Sequence, residues 1–374
     1  MTARETYLAL IRTAMWAPDG PTAEDCRAAL GEEALLEEVL RIADSQRTRG
    51  LVFDLLLRSD LPLPAAEAAA MQRQLISIAG MHRVLDSTIG TVVSALQQAG
   101  IPSILLKGQG VARLYPNPML RECGDIDLYV GPEHIDEAVR ILAALPEART
   151  DGELHGKHYL LSVGDAVIEP HLYAMQPLSR RDRNLFLRLE KEGLRDSTVR
   201  DRFGNAEVSL PDRTFNAFYL FYHAFYHFVN DGLGMRQLCD WTLLLHQTAG
   251  LLDRTRLREM LVSARLLAAW QLFGCLAVRE LGLPEEDFPF YDGKQAAKAD
   301  KVLSRILSEG NFGKERVLVR KRTGGTPGSR IRTVLGAGQR LTQLFSLFPA
   351  RAWGAFRHRI RTGLQNNFSK LFRK

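Results

Sequence analysis

Two carboxylates set two residues apart, Asp125 and Asp127, lie in the run R121-E-C-G-D-I-D-L-Y-V130. The β-branched, aliphatic and aromatic side chains of D-I-D-L-Y-V predict a strand. On a strand, residues i and i+2 share a face, so both acids stand side by side while Ile126 and Leu128 enter the core. Like charges that close repel. A divalent cation relieves the repulsion, and Mg²⁺ commonly takes one or two carboxylates together with substrate phosphates. Upstream, I104-L-L-K-G-Q-G110 places Lys107-Gly108 at a strand-to-helix transition. Glycine there lets backbone N–H groups approach a phosphate, and the start of the next helix favours negative charge.

Metal-dependent phosphoryl or nucleotidyl transfer generally uses three carboxylates around two metals. The third is expected on a neighbouring strand, and V167-I-E-P-H171 offers Glu169 behind two apolar residues, where an unpaired acid is costly. His171 shares its face, and Pro170, which cannot donate a ladder hydrogen bond, predicts an edge strand or a strand end. Lys107 and Arg121 are candidate cations for a triphosphate, with Gly124 flanking the acids; Arg113 reads more simply as a solvated helix residue. The K-G-x-G run lacks the full Walker spacing.

These residues need a scaffold. Residues 1–100 read as helices: Leu35, Leu36, Val39 and Leu40 recur on a helical period, Gly50 to Leu57 forms a short apolar run, and Ala65 to Gln98 reads as one long helix or two joined near Gly80. Residues 101–200 form the core, in the order strand, helix, strand, helix, hairpin. The hairpin runs from Lys157 to Tyr173 around Gly164-Asp165. This predicts an α+β fold, a small mixed β-sheet with helices on one side, flanked by N-terminal and C-terminal helical regions. Residues 174–211 are polar and read as a connection with little regular structure. Helices resume after Asp212, a capping residue, through residues 201–313. Residues 314–374 form a basic, partly amphipathic tail.

L105-L-K-G-Q-G-V-A-R-L-Y115, R121-x-x-G-D-I-D-L-Y-V130 and I168-E-P-H171 together resemble a poorly characterised family of bacterial nucleotidyltransferases within the polymerase-β-like superfamily. The likeness spans roughly residues 25–280. It implies that Asp125 and Asp127 bind metal, that Glu169 is the third acid, that Gly108 lines the phosphate site, and that two Mg²⁺ ions serve an NTP substrate. Two departures stand out. The superfamily's Gly-Ser or Gly-Gly pair is Gly108-Gln109, and the third acid is Glu where Asp is commoner. The family's recurring His before a helical R-x-x-x-D segment draws His227, Arg236 and Asp240 towards the cleft. Without it, Arg236 and Asp240 read as an i,i+4 pair and His223/His227 as boundary histidines on one helix face. His155 and His158 precede the hairpin and are further candidates for the cleft wall.

The implied activity is transfer of a nucleoside monophosphate from an NTP to an unidentified acceptor with release of pyrophosphate. The alternatives are a catalytically inactive nucleotide- or partner-binding module of the same fold, and a phosphotransferase. Net charge is +6, but residues 314–374 hold fifteen Lys/Arg against one acid, leaving the rest with 34 basic and 42 acidic residues. The tail, with Trp353 among its arginines, suits an anionic membrane surface, a phosphate polymer, or packing on the acidic body. Four scattered cysteines without C-x-x-C, no signal peptide and no transmembrane run point to a cytoplasmic protein, membrane-peripheral if the tail binds lipid.

Overall fold

A 34-residue helix organises the molecule. Ala65–Gln98 is alanine-rich and carries Met71, Ile78, His82, Leu85, Ile89, Val92, Val93 and Leu96 on its buried face. It continues through Gly80 without a break and ends at Gly100 in the left-handed region (φ 73°). The computed structural model describes residues 1–16, 33–59, 63–177, 182–195, 199–311, 342 and 346–348. Ahead of the long helix, α4, lie α1 (Ala3–Trp16), α2 (Glu33–Ser45) and α3 (Arg49–Arg58).

The fold is α+β, with a seven-stranded mixed sheet. Its strands are β1 (Ile104–Leu105), β2 (Asp125–Tyr129), β3 (Ala148–His155), β4 (His158–Val163), β5 (Ala166–His171), β6 (Val199–Phe203) and β7 (Ala206–Leu210), in the order β3-β4-β5-β2-β1-β7-β6. The four-residue α5 (Gln109–Ala112) follows β1, and α6 (Ile135–Ala143) follows β2. β2 and β5 run parallel, pairing Asp125 with Val167, Ile126 with Ile168 and Asp127 with Glu169. Ile126, Leu128 and Ile168 face α4 and α6, where they join Leu85, Ile89, Leu96, Ile135 and Leu142 in one core.

The acids therefore point to the opposite face, beneath α8 (Arg213–Asn230). Asp212 caps this helix, its Oδ1 accepting from the Phe215 N–H at 3.0 Å. α7 (Arg183–Arg195) lies between β5 and β6; after α8 come α9 (Met235–Thr248), α10 (Arg254–Ser263), α11 (Leu267–Arg279) and α12 (Ala296–Glu309). The two helical regions share a single core, in which Tyr7, Ile11, Val52 and Leu56 lie with Phe218, Trp241, Trp270 and Leu303. Gln46 ties them further, accepting from Met235 N–H at 2.9 Å and donating to the Ile306 carbonyl at 3.1 Å.

Two expectations need correction. Residues 174–211 are not an irregular connection: they contain α7 and the β6–β7 hairpin, and β7 joins β1 in parallel. α7 is legible only as a narrow stripe of Phe186, Leu189 and Leu194 on a charged helix. Of the two expectations for Pro170, an edge strand or a strand end, the second holds: β5 lies between β4 and β2, with Pro170 one residue from its end. Helices do not stand on one side alone, because α8 roofs the other. No single helix among the described residues is long and apolar enough to cross a membrane. The basic tail, residues 314–374, lies outside the described residues apart from Thr342 and residues 346–348; Phe348 packs on Phe225 at 5.1 Å between ring centres.

Candidate functional site

Asp125, Asp127 and Glu169 are brought together by strand register. One oxygen from each lies within 4.8 Å of the others. Asp127 is 1% exposed and holds two partners: Lys107 Nζ at 2.9 Å from Oδ2 and His171 Nε2 at 3.0 Å from Oδ1. Glu169 Oε2 lies 3.5 Å from the same His171 nitrogen and 3.3 Å from His158 Nδ1.

The electrostatics follow from this packing. The charge of Asp127, then burial, raises the pKa of Asp125. Burial alone would raise Asp127 too, but the Lys107 ammonium and the His171 ring hold its pKa well below the usual carboxylate range. Burial opposes ionisation of Glu169 most strongly, but the His171 contact together with the charges of His158 and Lys107 outweighs it, so its pKa is lowered. Lys107 is likewise disfavoured by burial, yet Asp127 and Asp125 lift its pKa above that of an ordinary lysine.

The face opposite the acids is aromatic and basic. A cleft of about 300 Å³ is bounded by Lys107, the three acids, Lys157, His158 and His171 below, and by Tyr219, Tyr222, His223, Tyr226 and His227 of α8 above. Burial and then Lys107 push the His223 pKa well below that of free histidine. His227 also lies low through burial, although Asp231 at 3.0 Å pulls it up. A smaller recess beside the cleft is lined by Lys107, Gly108, Gly124, Asp125 and Arg236. Gly108 adopts φ 61°, and a Cβ there would meet the Asp125 carbonyl oxygen at 3.3 Å. The tight turn thus needs glycine.

The remaining residues expected at the site divide. Arg236 lines the recess; its Nη1 donates to the Glu122 carbonyl, while its buried Nε has no partner. Arg121 and Asp240 border the same recess, but they are paired with each other as a strut. Nε and Nη2 of Arg121 each meet a carboxylate oxygen of Asp240 at 2.7 Å, Tyr115 OH donates to the same carboxylate at 2.6 Å, and Arg121 is 4% exposed. Asp240 therefore pairs with Arg121, not with Arg236 four residues before it. Gln109 is turned away from the cleft, donating to Asp86 Oδ1 at 2.5 Å and to His82 Nδ1 at 3.0 Å. The helix after Gly108 is only four residues long, too short for much dipole. Arg113 sits outside the cleft, over Phe203 and beside Asp201, and His155 pairs with Asp151 on the exposed hairpin.

Two cleft residues escaped the sequence. Lys157 donates to the Ala174 carbonyl at 2.8 Å, and burial, reinforced by Lys107, brings its pKa down to about 8. Its only signal was its place beside Gly156 at the hairpin's start. Tyr219, given no role among the aromatics of its helix, has a buried hydroxyl without a hydrogen-bond partner and lines the cleft.

Three hard oxygens that repel one another fit a divalent cation. The raised Asp125 pKa and the Asp127 Oδ2 that lacks a well-aligned hydrogen bond record charge that the protein alone leaves incompletely balanced. The fold and site define an acidic cleft on one face of a mixed sheet, with a glycine turn and the Arg236 guanidinium beside it. A family model described as uncharacterised nucleotidyltransferase matches residues 32–282, about two thirds of the chain, so the chain belongs to that family. No curated protein and no solved structure matches the chain.

Proposed function

We propose that the chain transfers a nucleoside monophosphate from an NTP to an acceptor hydroxyl or similar nucleophile, releasing pyrophosphate, within the polymerase-β-like group. The observation that carries this is the alignment of Asp127 with Glu169 on parallel strands, with Asp125 two residues away, beside the Gly108 turn. Asp125, Asp127 and Glu169 would hold the divalent ions, Mg²⁺ by ligand type. Bound there, such ions neutralise phosphate charge and make the acceptor oxygen more acidic.

The chain's own residues then do the positioning. The Gly108 turn allows the backbone close to a phosphate, and Arg236 presents a guanidinium edge to the same recess. Lys107, now on Asp127, is the cation that reaches both carboxylates and recess; it can exchange its carboxylate for a phosphate once other charge satisfies Asp127. α8 closes over the acids with aromatic rings, which limits water and strengthens each charge–charge contact. The Arg121–Asp240 strut fixes the loop that enters β2 against α9, so Arg121 acts through position and not by contact with phosphate.

The test is Mg²⁺-dependent release of pyrophosphate from each NTP with a panel of acceptors, alongside equilibrium binding of Mg²⁺ and a non-hydrolysable NTP. Asp125→Ala with Asp127→Ala is expected to abolish both release and metal-dependent binding. Release of nucleoside diphosphate in place of pyrophosphate would make the chain a phosphotransferase. Full activity in the double variant would sink the mechanism.

A further inference from the structure

The geometry points to a second metal site, built from His158, Glu169 and His171, that takes a first-row transition ion such as Zn²⁺. It shares Glu169 with the three acids and does not depend on the transfer reaction.

The spacing carries the argument. Glu169 Oε2 is 3.3 Å from His158 Nδ1 and 3.5 Å from His171 Nε2. A tetrahedral ion with bonds of about 2.1 Å sets its ligand atoms about 3.4 Å apart. Two edges of such a tetrahedron are therefore already present, and all three ligand atoms lie within 4.8 Å. Asp127 Oδ1, 3.0 Å from the same His171 nitrogen, stands where a fourth ligand or a bound water belongs.

The supporting contacts suit ligation. His171 Nδ1 lies 3.3 Å from the Tyr173 carbonyl, to which it can donate, leaving Nε2 directed at the acids. A carbonyl behind a histidine is the usual device that fixes the ligating nitrogen. His158 Nδ1 is buried and makes no well-formed hydrogen bond, its near neighbour being Glu169 Oε2 at 3.3 Å. Lys157, next in sequence to His158, turns its ammonium onto the Ala174 carbonyl and away from these ligands. The positions come from firm elements: His158 begins β4, Glu169 and His171 lie two apart on β5, and His158 pairs with His171 across the two strands.

Ligand type separates this set from the oxygen-only one. Two imidazoles and a carboxylate favour Zn²⁺, Co²⁺ or Mn²⁺ over Mg²⁺, which prefers oxygen and retains its waters. Glu169 has two oxygens and can serve an ion on either side. Binding displaces any protons on the two imidazoles to solvent, and no other reaction is involved.

The probe is Co²⁺ added to tag-free, EDTA-treated full-length chain, followed by visible absorption, with Zn²⁺ as competitor. The expected result is a saturable band of four- or five-coordinate intensity that Zn²⁺ abolishes and millimolar Mg²⁺ does not. His158→Gln should weaken Co²⁺ binding at least about tenfold, while its thermal unfolding in EDTA matches the parent. Asp125→Asn should keep the band. A parent chain without the band, a His158→Gln chain with unchanged affinity, or loss of the band in Asp125→Asn would each overturn the site. Failure of pyrophosphate release with the band intact would instead count against the transfer reaction alone.

Discussion

Breaking the Arg121–Asp240 pair distinguishes a structural strut from a phosphate ligand. Both side chains are nearly excluded from solvent, at 4% and 6%, and two bonds of 2.7 Å join them in parallel. Asp240 also accepts from Tyr115 OH at 2.6 Å, and Arg121 Nη1 reaches Cys123 Sγ at 2.7 Å. Arg121→Met leaves a buried carboxylate with Tyr115 alone; Asp240→Leu leaves a buried guanidinium and an unsatisfied phenol. Each single change is expected to cost about 3–5 kcal/mol, the range for stranding one charge of a buried pair. The double variant removes both charges and restores apolar contact, so it should cost no more than either single. The expected coupling is then roughly 3 kcal/mol or more, against near additivity for unconnected sites. Urea unfolding of the four proteins, with midpoints compared at a common slope, measures it. Single costs below about 1 kcal/mol that simply add would refute the strut. So would a stable double variant that no longer binds Mg²⁺ and a non-hydrolysable NTP, because Arg121 would then be touching phosphate.

Lys107 and Glu190 give two further expectations. Lys107→Met removes the ammonium that occupies Asp127 Oδ2, so bare Mn²⁺ should bind more tightly, on the order of tenfold, while Mg²⁺–NTP binding weakens; calorimetry separates the two, and weaker binding of both would contradict the exchange of Lys107 from acid to phosphate. Glu190 is pushed by burial from 4.5 up to about 7, although its Oε2 accepts from the Met175 N–H at 3.0 Å. A carboxyl whose folded pKa exceeds its unfolded one holds more protons folded than unfolded between those values, so stability falls as pH rises from about 4.5 to 7 and stays reduced above it. The shift corresponds to roughly 3 kcal/mol. Glu190→Gln keeps an acceptor for Met175 and should flatten this slope, stabilising the chain at pH 8 relative to pH 5; an unchanged slope in urea melts at the two pH values would refute it.

The parts of the fold that showed in the sequence are those where one face is apolar and the other is not. β2, β4 and β5 alternate, the Gly164-Asp165 turn marks their hairpin, and the long helix carries a continuous apolar stripe. β6 and β7 were hidden because V199-R-D-R-F203 and A206-E-V-S-L210 lie at the far edge of the sheet, where outward residues are charged and only Phe203, Ala206 and Val208 are buried. The Gly204-Asn205 pair between them was a usable turn signal, with Gly204 at φ 57°. The join between the two helical regions could not be read at all. Gln46 is a buried polar residue whose partners lie 189 and 260 positions away, and no local pattern encodes a contact at that separation.

The candidate site was legible wherever chemistry repeats at the period of a strand. Asp125 and Asp127, then Glu169 and His171, each sit at i and i+2, so the strand period already placed them on shared faces. What the period cannot assign is partner choice among cations. By charge Lys107 and Arg121 were the candidates for a phosphate, Arg236 was drawn to the cleft only by the family pattern, and the fold orders them differently. Arg121 has its fork filled by Asp240, 119 residues away. Arg236, which local spacing would have paired with Asp240, keeps a buried Nε without a partner beside Gly108. Lys107 neutralises an acid that a divalent ion would otherwise claim. While Asp127 holds Lys107 that one acid is paired, and an ion taking Asp127 would release a lysine beside the glycine turn. Under the proposed reaction, cation and phosphate recognition would then be coupled through one side chain, which would account for a lysine next to the acids rather than at the far wall of the cleft.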